Sequence, residues 1–520
     1  MSDGRGARSW WGWGLADRAL DAGACARLAE RVRPFLPIDG ELTPIPDPPA
    51  LGAPRLRPPQ ALAPMCRTDD ASRAAHARGK AYRDVVANLT GRLDGAPDVV
   101  AYPRGEAEVV AALDWAADAD AVVVPFGGGT SVVGGVEYRG HQPWLALDLT
   151  RLAGVSEVDA VSRAARVRGG TFGPDLEDAL RPAGLTLRHF PQSFEFSTVG
   201  GWLATRSAGH FATGATHIDD LVEALRVVTP IGVAESLRVP ASGAGPSPDR
   251  LWLGSEGTLG VITEAWLRVR HRPRFRAAAA TRFDDFGYAV AATRDIAQSG
   301  LAPANCRLLD PLEAMLGAAV TDGSSRLLLG FESADQPVTE ALARAVALCR
   351  GHGGTVDEST AESAAEWRDT FLCAPYLRDG LARLGVVVET FETACTWSRL
   401  EELHTAVVAD VAAAGVEATG APAVVTCRFT HVYPDGPAPY FTVYAAGRRG
   451  AEIEIWDHLK RVAAEAIARH GGTVTHHHAV GRDHRPWYDR QRPEPFALAL
   501  AAAKRALDPA GNLNPGALLD

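Results

Sequence analysis

The chain has 520 residues, of which 46% are hydrophobic and 22% charged, so its bulk is globular rather than disordered, collagen-like or coiled coil. The length predicts two to four domains, and the net charge of −10 gives no general basic field, so we expect no nucleic-acid partner. Only three of the 53 basic residues are lysines, and we attribute this arginine excess mainly to codon usage rather than to anionic ligands.

Residues 1–94 predict an irregular, partly helical segment ahead of the first domain. Residues 44–64 are rich in proline, which indicates an extended linker, and a helical pattern follows at about 70–91. We therefore expect this segment to lie along other parts of the chain.

Residues 95–275 predict a domain with a mixed pattern of strands and helices. A short strand is expected at 98–102, and residues 106–119 have helical spacing with a Glu-rich start. The apolar run at 121–126 indicates a buried strand. Further strands are predicted at 144–149, 165–168, 222–230 and 261–270, and a further helix at 174–183.

Residues 276–485 predict a second, α+β domain with an antiparallel sheet, because strand-like pieces alternate with amphipathic helices. The predicted strands are 276–282, 326–332, 386–391, 424–433 and 439–446. The predicted helices are 285–298, 335–351, 397–414 and 450–470. Residues 486–520 form a C-terminal segment, in which an Ala-rich helix precedes Asn-Leu-Asn-Pro-Gly.

A glycine-rich loop directly follows the strand at 121–126. Glycines let successive backbone N–H groups form a concave site for a pyrophosphate, and two hydroxyl side chains add donors. The spacing fits neither a Walker A loop nor GxGxxG, and alone a plain tight turn is an equally good interpretation. The candidate ligand-binding residues here are Pro125, Gly127, Gly128, Gly129, Thr130 and Ser131.

Three further blocks, at 190–205, 207–220 and 254–263, are dense in small and hydroxyl residues and poor in charge. Such a composition suits a backbone-lined groove around a large planar cofactor. Ordinary turns explain any one block but explain four in this order poorly. The candidate cofactor residues in these blocks are Gln192, Ser193, Ser197, Thr198, Gly200, Gly201, Ser207, Gly209, Glu256, Gly257, Gly260, Val261 and Ile262.

The four blocks in this order resemble the FAD-binding domain of the vanillyl-alcohol oxidase / p-cresol methylhydroxylase flavoprotein superfamily. The resemblance implies an α+β, two-domain FAD-binding (PCMH-type) fold, with an antiparallel-sheet cap domain over the flavin and a C-terminal segment that returns to the FAD domain. No His or Cys lies in the glycine-rich loop, so we expect FAD to be held non-covalently. His189, His210 and His217 remain open as tethers, because they lie close to the cofactor blocks.

Pieces of the second domain resemble the alkyl-dihydroxyacetone-phosphate synthases within this superfamily. They are Asn305-Cys-Arg-Leu-Leu-Asp, Ala374-Pro-Tyr-Leu-Arg-Asp, Glu389-Thr-Phe-Glu-Thr, Thr426-Cys-Arg-Phe-Thr-His-Val-Tyr, Tyr440-Phe-Thr-Val-Tyr, Thr475-His-His-His-Ala-Val-Gly and Trp487. The resemblance implies exchange of the acyl group of acyl-dihydroxyacetone phosphate for a fatty alcohol, through an adduct at flavin N5 and without net redox. It places the essential tyrosine at Tyr440, the active-site arginine at Arg378 and the central histidine at His477.

This chemistry needs a proton shuttle near pH 7, which suits His477 with Tyr440, and a cation opposite phosphate. Arg378 and Arg307 suit that second role, because a guanidinium can hold phosphate through two hydrogen bonds. As a strand, the triple histidine would place His476 and His478 on one face and His477 on the other. Such a His-x-His pair could bind a metal, but no carboxylate or Cys cluster surrounds it in the sequence, so we expect no metal.

Two alternatives stay open. Gln192 stands where the family pattern has Asp, and Ala479 where it usually has Gly, so an FAD-linked oxidase or dehydrogenase of an alcohol or 2-hydroxy acid is one rival. A flavin-binding protein without catalysis is the other. We expect an anionic small-molecule or lipid substrate, and the sequence leaves open a homodimer and peripheral membrane contact. Seven scattered cysteines without a CxxC pair suit a reducing compartment, so we expect a cytoplasmic protein.

Overall fold

The computed structural model describes residues 6–211, 213–214, 216–318, 320–357 and 360–520, with the backbone alone at 318 and 360–371. Its N-terminal segment contacts both domains. Its elements are α1 (Ala22–Val32), β1 (Cys66–Arg67), α2 (Asp70–Ala75) and α3 (Tyr82–Leu89). The Tyr82 hydroxyl donates to the Val386 carbonyl at 3.0 Å, and Trp11 lies in the hydrophobic core of the second domain.

In its described residues, the first domain contains two main sheets and four α-helices. Its elements are β2 (Val99–Ala101), α4 (Glu106–Asp118), β3 (Val122–Phe126), β4 (Trp144–Asp148), β5 (Val155–Asp159), β6 (Ala164–Arg168), α5 (Gly173–Leu180), β7 (Leu185–Thr186), α6 (Val199–Thr205), β8 (Val222–Thr229), β9 (Gly232–Glu235), α7 (Asp249–Trp252), β10 (Val261–Arg268) and β11 (Arg270–His271).

The two sheets of the first domain have different topologies. One has the strand order β1-β2-β4-β3, in which β4 runs parallel to both β2 and β3. The other has the order β5-β6-β10-β8-β9 and is antiparallel throughout. Strand β3 is an apolar run covered on both faces, as parallel strands usually are, so the glycine-rich loop starts from a rigid base.

The described part of the second domain, or cap, forms one seven-stranded antiparallel sheet with helices packed on it, in the strand order β15-β12-β14-β13-β17-β18-β16. Its strands are β12 (Phe275–Phe283), β13 (Asn305–Leu309), β14 (Ser325–Ser333), β15 (Thr355–Asp357), β16 (Val386–Glu392), β17 (Val424–Val432) and β18 (Pro437–Ala446). Its helices are α8 (Phe286–Gln298), α9 (Pro311–Ala318), α10 (Thr339–Gly351), α11 (Thr360–Arg383), α12 (Leu400–Thr419) and α13 (Glu452–Arg469). The predicted α+β fold class with an antiparallel cap sheet is confirmed.

The C-terminal segment contains α14 (Arg485–Gln491) and α15 (Glu494–Leu507). Past α15 the chain runs beside β3, where the Asn514 N–H donates to the Val123 carbonyl at 2.8 Å. The Lys504 ammonium is buried and donates to the carbonyls of Thr258 and Leu513. These bonds hold the end of the chain on the first domain.

Among the described residues, no helix combines the length and the apolar character that crossing a membrane requires.

Candidate active site

A cavity of about 330 Å³ lies between the first domain and the cap. Residues of the first domain form one wall, and the sheet and α11 of the cap form the other. The predicted residues on the first wall are Gly127, Gly128, Gly129, Thr130, Ser131, Gln192, Ser193, Ser197, Thr198, Gly201, Ser207 and Gly209. On the opposite wall the predicted residues are Arg378, Tyr440, His477 and His478.

The glycine-rich loop is stacked closely on the segment before α6. A Cβ atom on Gly128 would lie 1.7 Å from the Phe196 carbonyl oxygen, and one on Gly127 would lie 2.3 Å from the Thr198 hydroxyl. Gly129 has a φ of +65°, a conformation that favours glycine. The glycines are therefore required for packing between two cofactor blocks as well as for close approach of a ligand.

Seven predicted cofactor residues lie outside the cavity lining: Pro125, Gly200, Glu256, Gly257, Gly260, Val261 and Ile262. They support the wall from behind. A Cβ on Gly257 would lie 2.8 Å from Cγ of Pro125, and one on Gly200 would lie 2.9 Å from the Gly169 carbonyl. Val261 and Ile262 begin the buried strand β10. Direct contact between these seven residues and a cofactor remains a prediction.

Three neighbouring strands of the cap place a row of functional side chains on one face of the sheet. In the register of β17, β18 and β16, Tyr440 lies opposite Arg428 on one side and Glu392 on the other. Alternation along β18 directs Tyr440, Thr442 and Tyr444 to the cavity. Side chains that lie on strands far apart in the sequence thus become neighbours.

Arg428 was not a predicted site residue, although it lies in a cap piece used for the resemblance. Its guanidinium carbon is 3.9 Å from the centre of the Tyr440 ring, and its Nη1 pairs with Glu313 at 2.6 Å. Burial raises the pKa of the Tyr440 phenol, while the Arg428 cation opposes that rise. Arg428 is therefore the cation that most directly acts on Tyr440.

The two predicted arginines occupy different positions. Arg378 lines the cavity, donates to the Asp379 carboxylate at 2.7 and 3.0 Å, and donates to the Lys80 carbonyl at 2.7 Å. Arg307 is fully buried on β13 outside the cavity lining, with its Nη2 3.4 Å from Nδ1 of His210. Burial holds the pKa of Arg307 well below its usual range. Arg307 is therefore one residue removed from the cavity, behind His210, and its contact with the ligand stays a prediction.

The triple histidine does not form a strand, so the prediction of alternating faces is wrong. The buried Glu392 carboxylate accepts hydrogen bonds from the backbone N–H groups of His477 at 3.0 Å, His478 at 2.8 Å and also His476. Three successive N–H groups can converge on one carboxylate only if the backbone bends. Burial opposes ionisation of Glu392, but the positive charge that His477, His478 and His476 gain in acid, together with the Thr475 hydrogen bond, holds the pKa of Glu392 well below its usual range.

The imidazoles of this bend are buried beside Glu392. Burial lowers the pKa of His477 to about 3 and that of His478 to about 4, while Glu392 opposes both shifts. Burial also holds the pKa of His476 well below its usual range. Burial therefore favours the neutral form of these rings at pH 7, and the assignment of His477 as the proton shuttle stays a prediction.

The fold brings together a histidine cluster that the sequence did not reveal. The imidazoles of His431, His476 and His477, and separately Glu392 with His477 and His478, place ligand atoms within 4.8 Å of one another. The absence of a metal stays a prediction, since Glu392 already accepts backbone hydrogen bonds. Alternation along β17 would put His431 on the same face as Phe429, but a bulge between the two residues brings His431 to the cavity, so no local signal points to it. Glu392 lies in a cap segment that resembles the family, but no local signal points to its contact with the histidines.

The first wall fits a cofactor with a pyrophosphate and a planar ring. Its donors are backbone N–H groups and hydroxyls, which suit phosphate oxygens, and glycines keep the surface open along the loop. Trp13 of the N-terminal segment completes the cavity and lies edge-to-face against Phe196 with ring centres 5.9 Å apart.

Comparisons with known proteins agree with this geometry. Residues 97–238 match the family described as "FAD binding domain", and residues 272–518 match "FAD linked oxidases, C-terminal domain". The alkyldihydroxyacetonephosphate synthase of Trypanosoma brucei brucei is 30% identical over 482 residues, which cover 87% of this chain and 78% of that protein.

Solved structures extend the match over nearly the whole chain. A structure of alkyldihydroxyacetonephosphate synthase has a TM-score of 0.82 at 26% identity and covers 98% of both chains. The structure of p-cresol methylhydroxylase, at 15% identity, has a TM-score of 0.71 over 89% of this chain and 95% of its own, and shows a shared fold alone. FAD is the cofactor of this protein. The chain belongs to the alkyldihydroxyacetonephosphate synthase family of FAD-dependent enzymes.

Proposed function

We propose that this protein exchanges the acyl group of acyl-dihydroxyacetone phosphate for a fatty alcohol, without net redox change. The observation that carries the proposal is the convergence of Tyr440, Arg428, His477 and Arg378 on one cavity whose other wall fits FAD. The kinship with alkyldihydroxyacetonephosphate synthases supports it over 87% of the chain by sequence and 98% by structure.

The reaction begins with removal of a proton from the carbon next to the substrate carbonyl. When bound, FAD supplies the electrophilic ring that the exchange requires. Tyr440 and His477 line the cavity, with ring centres 6.1 Å apart, so both can contact a substrate there. A neutral imidazole accepts a proton, while the Arg428 cation beside Tyr440 favours negative charge on its phenol oxygen.

The cavity also offers recognition for both ends of such a substrate. Arg378 and Arg428 provide guanidinium groups for phosphate, although each already pairs with a carboxylate of the protein. Leu316, Leu377 and Leu381 give another part of the lining an apolar character that suits an alkyl chain. An anionic lipid satisfies both features.

The direct test is mass spectrometry of the products formed by FAD-loaded protein from acyl-dihydroxyacetone phosphate and hexadecanol. We expect the alkyl ether product and free fatty acid. Tyr440→Phe should abolish turnover and keep the flavin bound, whereas Tyr288→Phe, at a side chain that is 63% exposed, should leave turnover unchanged. Wild-type turnover in Tyr440→Phe would contradict the assignment of Tyr440.

Flavin absorbance separates exchange from the oxidase or dehydrogenase alternative. Mixing with alcohols or 2-hydroxy acids in a stopped-flow instrument should cause little net bleaching of the flavin. Strong bleaching that recovers with an electron acceptor would favour net oxidation. We also propose that FAD is non-covalent, so acid denaturation should release the flavin into the supernatant; flavin that stays with the pellet would contradict this.

A further inference from the structure

Three imidazoles are joined in a line between the cavity and the first domain. Nδ1 of His477 lies 2.9 Å from Nδ1 of His476, and Nε2 of His476 lies 3.1 Å from Nε2 of His217. His217 is half-buried, and its Nδ1 lies 3.0 Å from the Arg206 carbonyl oxygen. The line therefore starts at the cavity with His477 and ends near the surface with His217.

The carbonyl at the outer end fixes where each proton lies. A carbonyl oxygen only accepts, so Nδ1 of His217 carries a proton and, in the neutral ring, Nε2 accepts. Nε2 of His476 must then donate to His217, which leaves Nδ1 of His476 as an acceptor. Nδ1 of His477 donates to it, and the lone pair of His477 is left on Nε2. The order of donors thus prepares His477 to accept a proton.

Tyr433 is consistent with this order. Its hydroxyl lies 2.8 Å from Nε2 of His476 and also contacts the Thr216 hydroxyl. The phenol donates to Thr216 and accepts from the Nε2–H of His476, which is shared with His217. If the phenol donated to His476 instead, two lone pairs would face each other across the 3.1 Å between His476 and His217, which is repulsive.

We propose that His477, His476 and His217 form a proton relay that moves positive charge from the buried cavity to the half-exposed His217. A proton from the substrate carbon binds Nε2 of His477, and the electron pair stays with the substrate. The Nδ1 proton of His477 moves to Nδ1 of His476, and the Nε2 proton of His476 moves to Nε2 of His217. His217 becomes an imidazolium with both nitrogens protonated, and the reverse sequence returns the proton.

The relay solves a problem of solvation at His477. A buried imidazolium is costly, whereas a half-exposed one is stabilised by water. Because the positive charge passes to His217, the weakly basic ring of His477 can accept a proton. The charge stays outside the cavity until the reverse sequence returns the proton. The source of the proton rests on the proposed function, but the order of donors does not. His217 is a positioning residue, because it acts on the substrate only through His476.

Two substitutions at His217 separate proton transfer from structural support. His217→Gln keeps an amide that can hydrogen-bond to His476 but cannot carry a proton, and His217→Ala removes both functions. In FAD-loaded protein we expect both to lower turnover by about a hundredfold, with the flavin still bound, and added imidazole to rescue His217→Ala. Wild-type turnover in His217→Gln would overturn the relay. His271→Gln, at an exposed histidine, is the matched control.

Nuclear magnetic resonance of protein labelled with ¹⁵N-histidine tests the order of donors without any substrate. Assigned through single His→Gln variants, the spectra should show protons on Nδ1 of His217, Nε2 of His476 and Nδ1 of His477. The opposite tautomers would overturn the relay even if the exchange reaction is found. The expected tautomers without exchange products would support the relay and count against the proposed function.

Metal analysis provides the remaining outcome. A stoichiometric divalent ion in the purified protein, lost in His431→Ala, would mean that the lone pairs of this cluster bind a metal, and it would overturn the relay. Metal content below stoichiometry, with histidine resonances that EDTA does not change, supports it.

Discussion

The two walls of the cavity are built in different ways. The first-domain wall consists of glycines, small side chains and hydroxyls, and much of its chemistry comes from the backbone of the glycine-rich loop. The polar part of the cap wall consists of tyrosines, arginines and histidines that lie on separate strands, on α11 and on one bend. A wall made of backbone depends on local sequence, whereas a wall made of side chains depends on long-range register.

The largest effect is expected at the backbone wall. Gly128→Val places a Cβ 1.7 Å from the Phe196 carbonyl, which separates the loop from the segment before α6. Such overpacking costs about 1–3 kcal/mol or more, so we expect loss of bound FAD, measured by visible flavin absorbance per mole of protein. Gly52→Val, where a Cβ has no neighbour within 4 Å, is the control. Full flavin content in Gly128→Val would show that the wall tolerates side chains.

The next effect is a dependence of folding stability on pH, which comes from buried histidines on the cap side of the cavity. Burial lowers the pKa of His477 to about 3 and those of His478 and His484 to about 4. Below the unfolded pKa of about 6.5 the unfolded chain binds protons that the folded protein refuses, so stability falls as the pH falls from about 6.5 towards 4.

Each of these three histidines should remove about 2 kcal/mol of unfolding free energy between pH 6.5 and pH 5. Urea titrations at pH 7 and pH 5 measure the loss, and His484→Gln should reduce it by its own share. His271→Gln serves again as the exposed control. Equal midpoints at the two pH values would contradict neutral burial of the rings.

The sequence predicted the first-domain wall better than the cap wall, because the first depends on local sequence and the second on long-range strand register. Hydrophobic periodicity located β3, β10 and β18 well, and composition marked the cofactor blocks around them. Strand β13 was missed, because it is short and contains Arg307, which is fully buried. Burial of that arginine depends on strands β14 and β17, which pair with β13.

The triple histidine shows what sequence reasoning lacks. Its residue types pointed to proton chemistry, but its conformation is set by Glu392, a residue of β16 more than eighty positions earlier. Arg428 was visible in a cap piece used for the resemblance, yet only the pairing of β17 with β18 places it against Tyr440. The sequence showed which residue types were present, but it did not show which strands pair or in which register.

Glu392→Gln tests whether the cap wall needs a charged anchor. An amide has one acceptor oxygen, so backbone donors of the bend lose a charged partner, and we expect a loss of about 2–3 kcal/mol of unfolding free energy at pH 7. Since folding lowers the pKa of Glu392, its stabilisation is present above about pH 4.3 and is lost on acidification.

Urea unfolding measures this loss, and turnover should fall because His477 is displaced. Glu401→Gln, at an exposed carboxylate, is the matched control. A Glu392→Gln protein with wild-type stability and turnover would show that the bend holds its shape without the charge.

The smallest effect, with the opposite sign, is expected at Glu256 of the first domain. Its buried carboxylate accepts from the N–H groups of Val480 at 2.9 Å and Gly481 at 2.8 Å, directly after the bend that Glu392 holds. Burial raises the pKa of Glu256 to about 7, and its donors and Arg482 only partly oppose the rise. Glu392 and Glu256 thus hold neighbouring stretches of one loop. At pH 7 the Glu392 carboxyl group is charged, whereas that of Glu256 is about half protonated.

A raised pKa reverses the dependence on pH. The stabilisation that protonated Glu256 provides is complete below about pH 4.3 and is lost as the pH rises through about 7. Glu256→Gln is permanently neutral, so its unfolding free energy should lie within about 1 kcal/mol of the wild type at pH 6 and equal or exceed it at pH 8. Urea titrations at both pH values measure the difference. A different result would be equal destabilisation by Glu256→Gln and Glu392→Gln at both pH values. Charge would then not distinguish the two carboxyl groups, and Glu256 would be needed for the geometry of its carboxyl group instead.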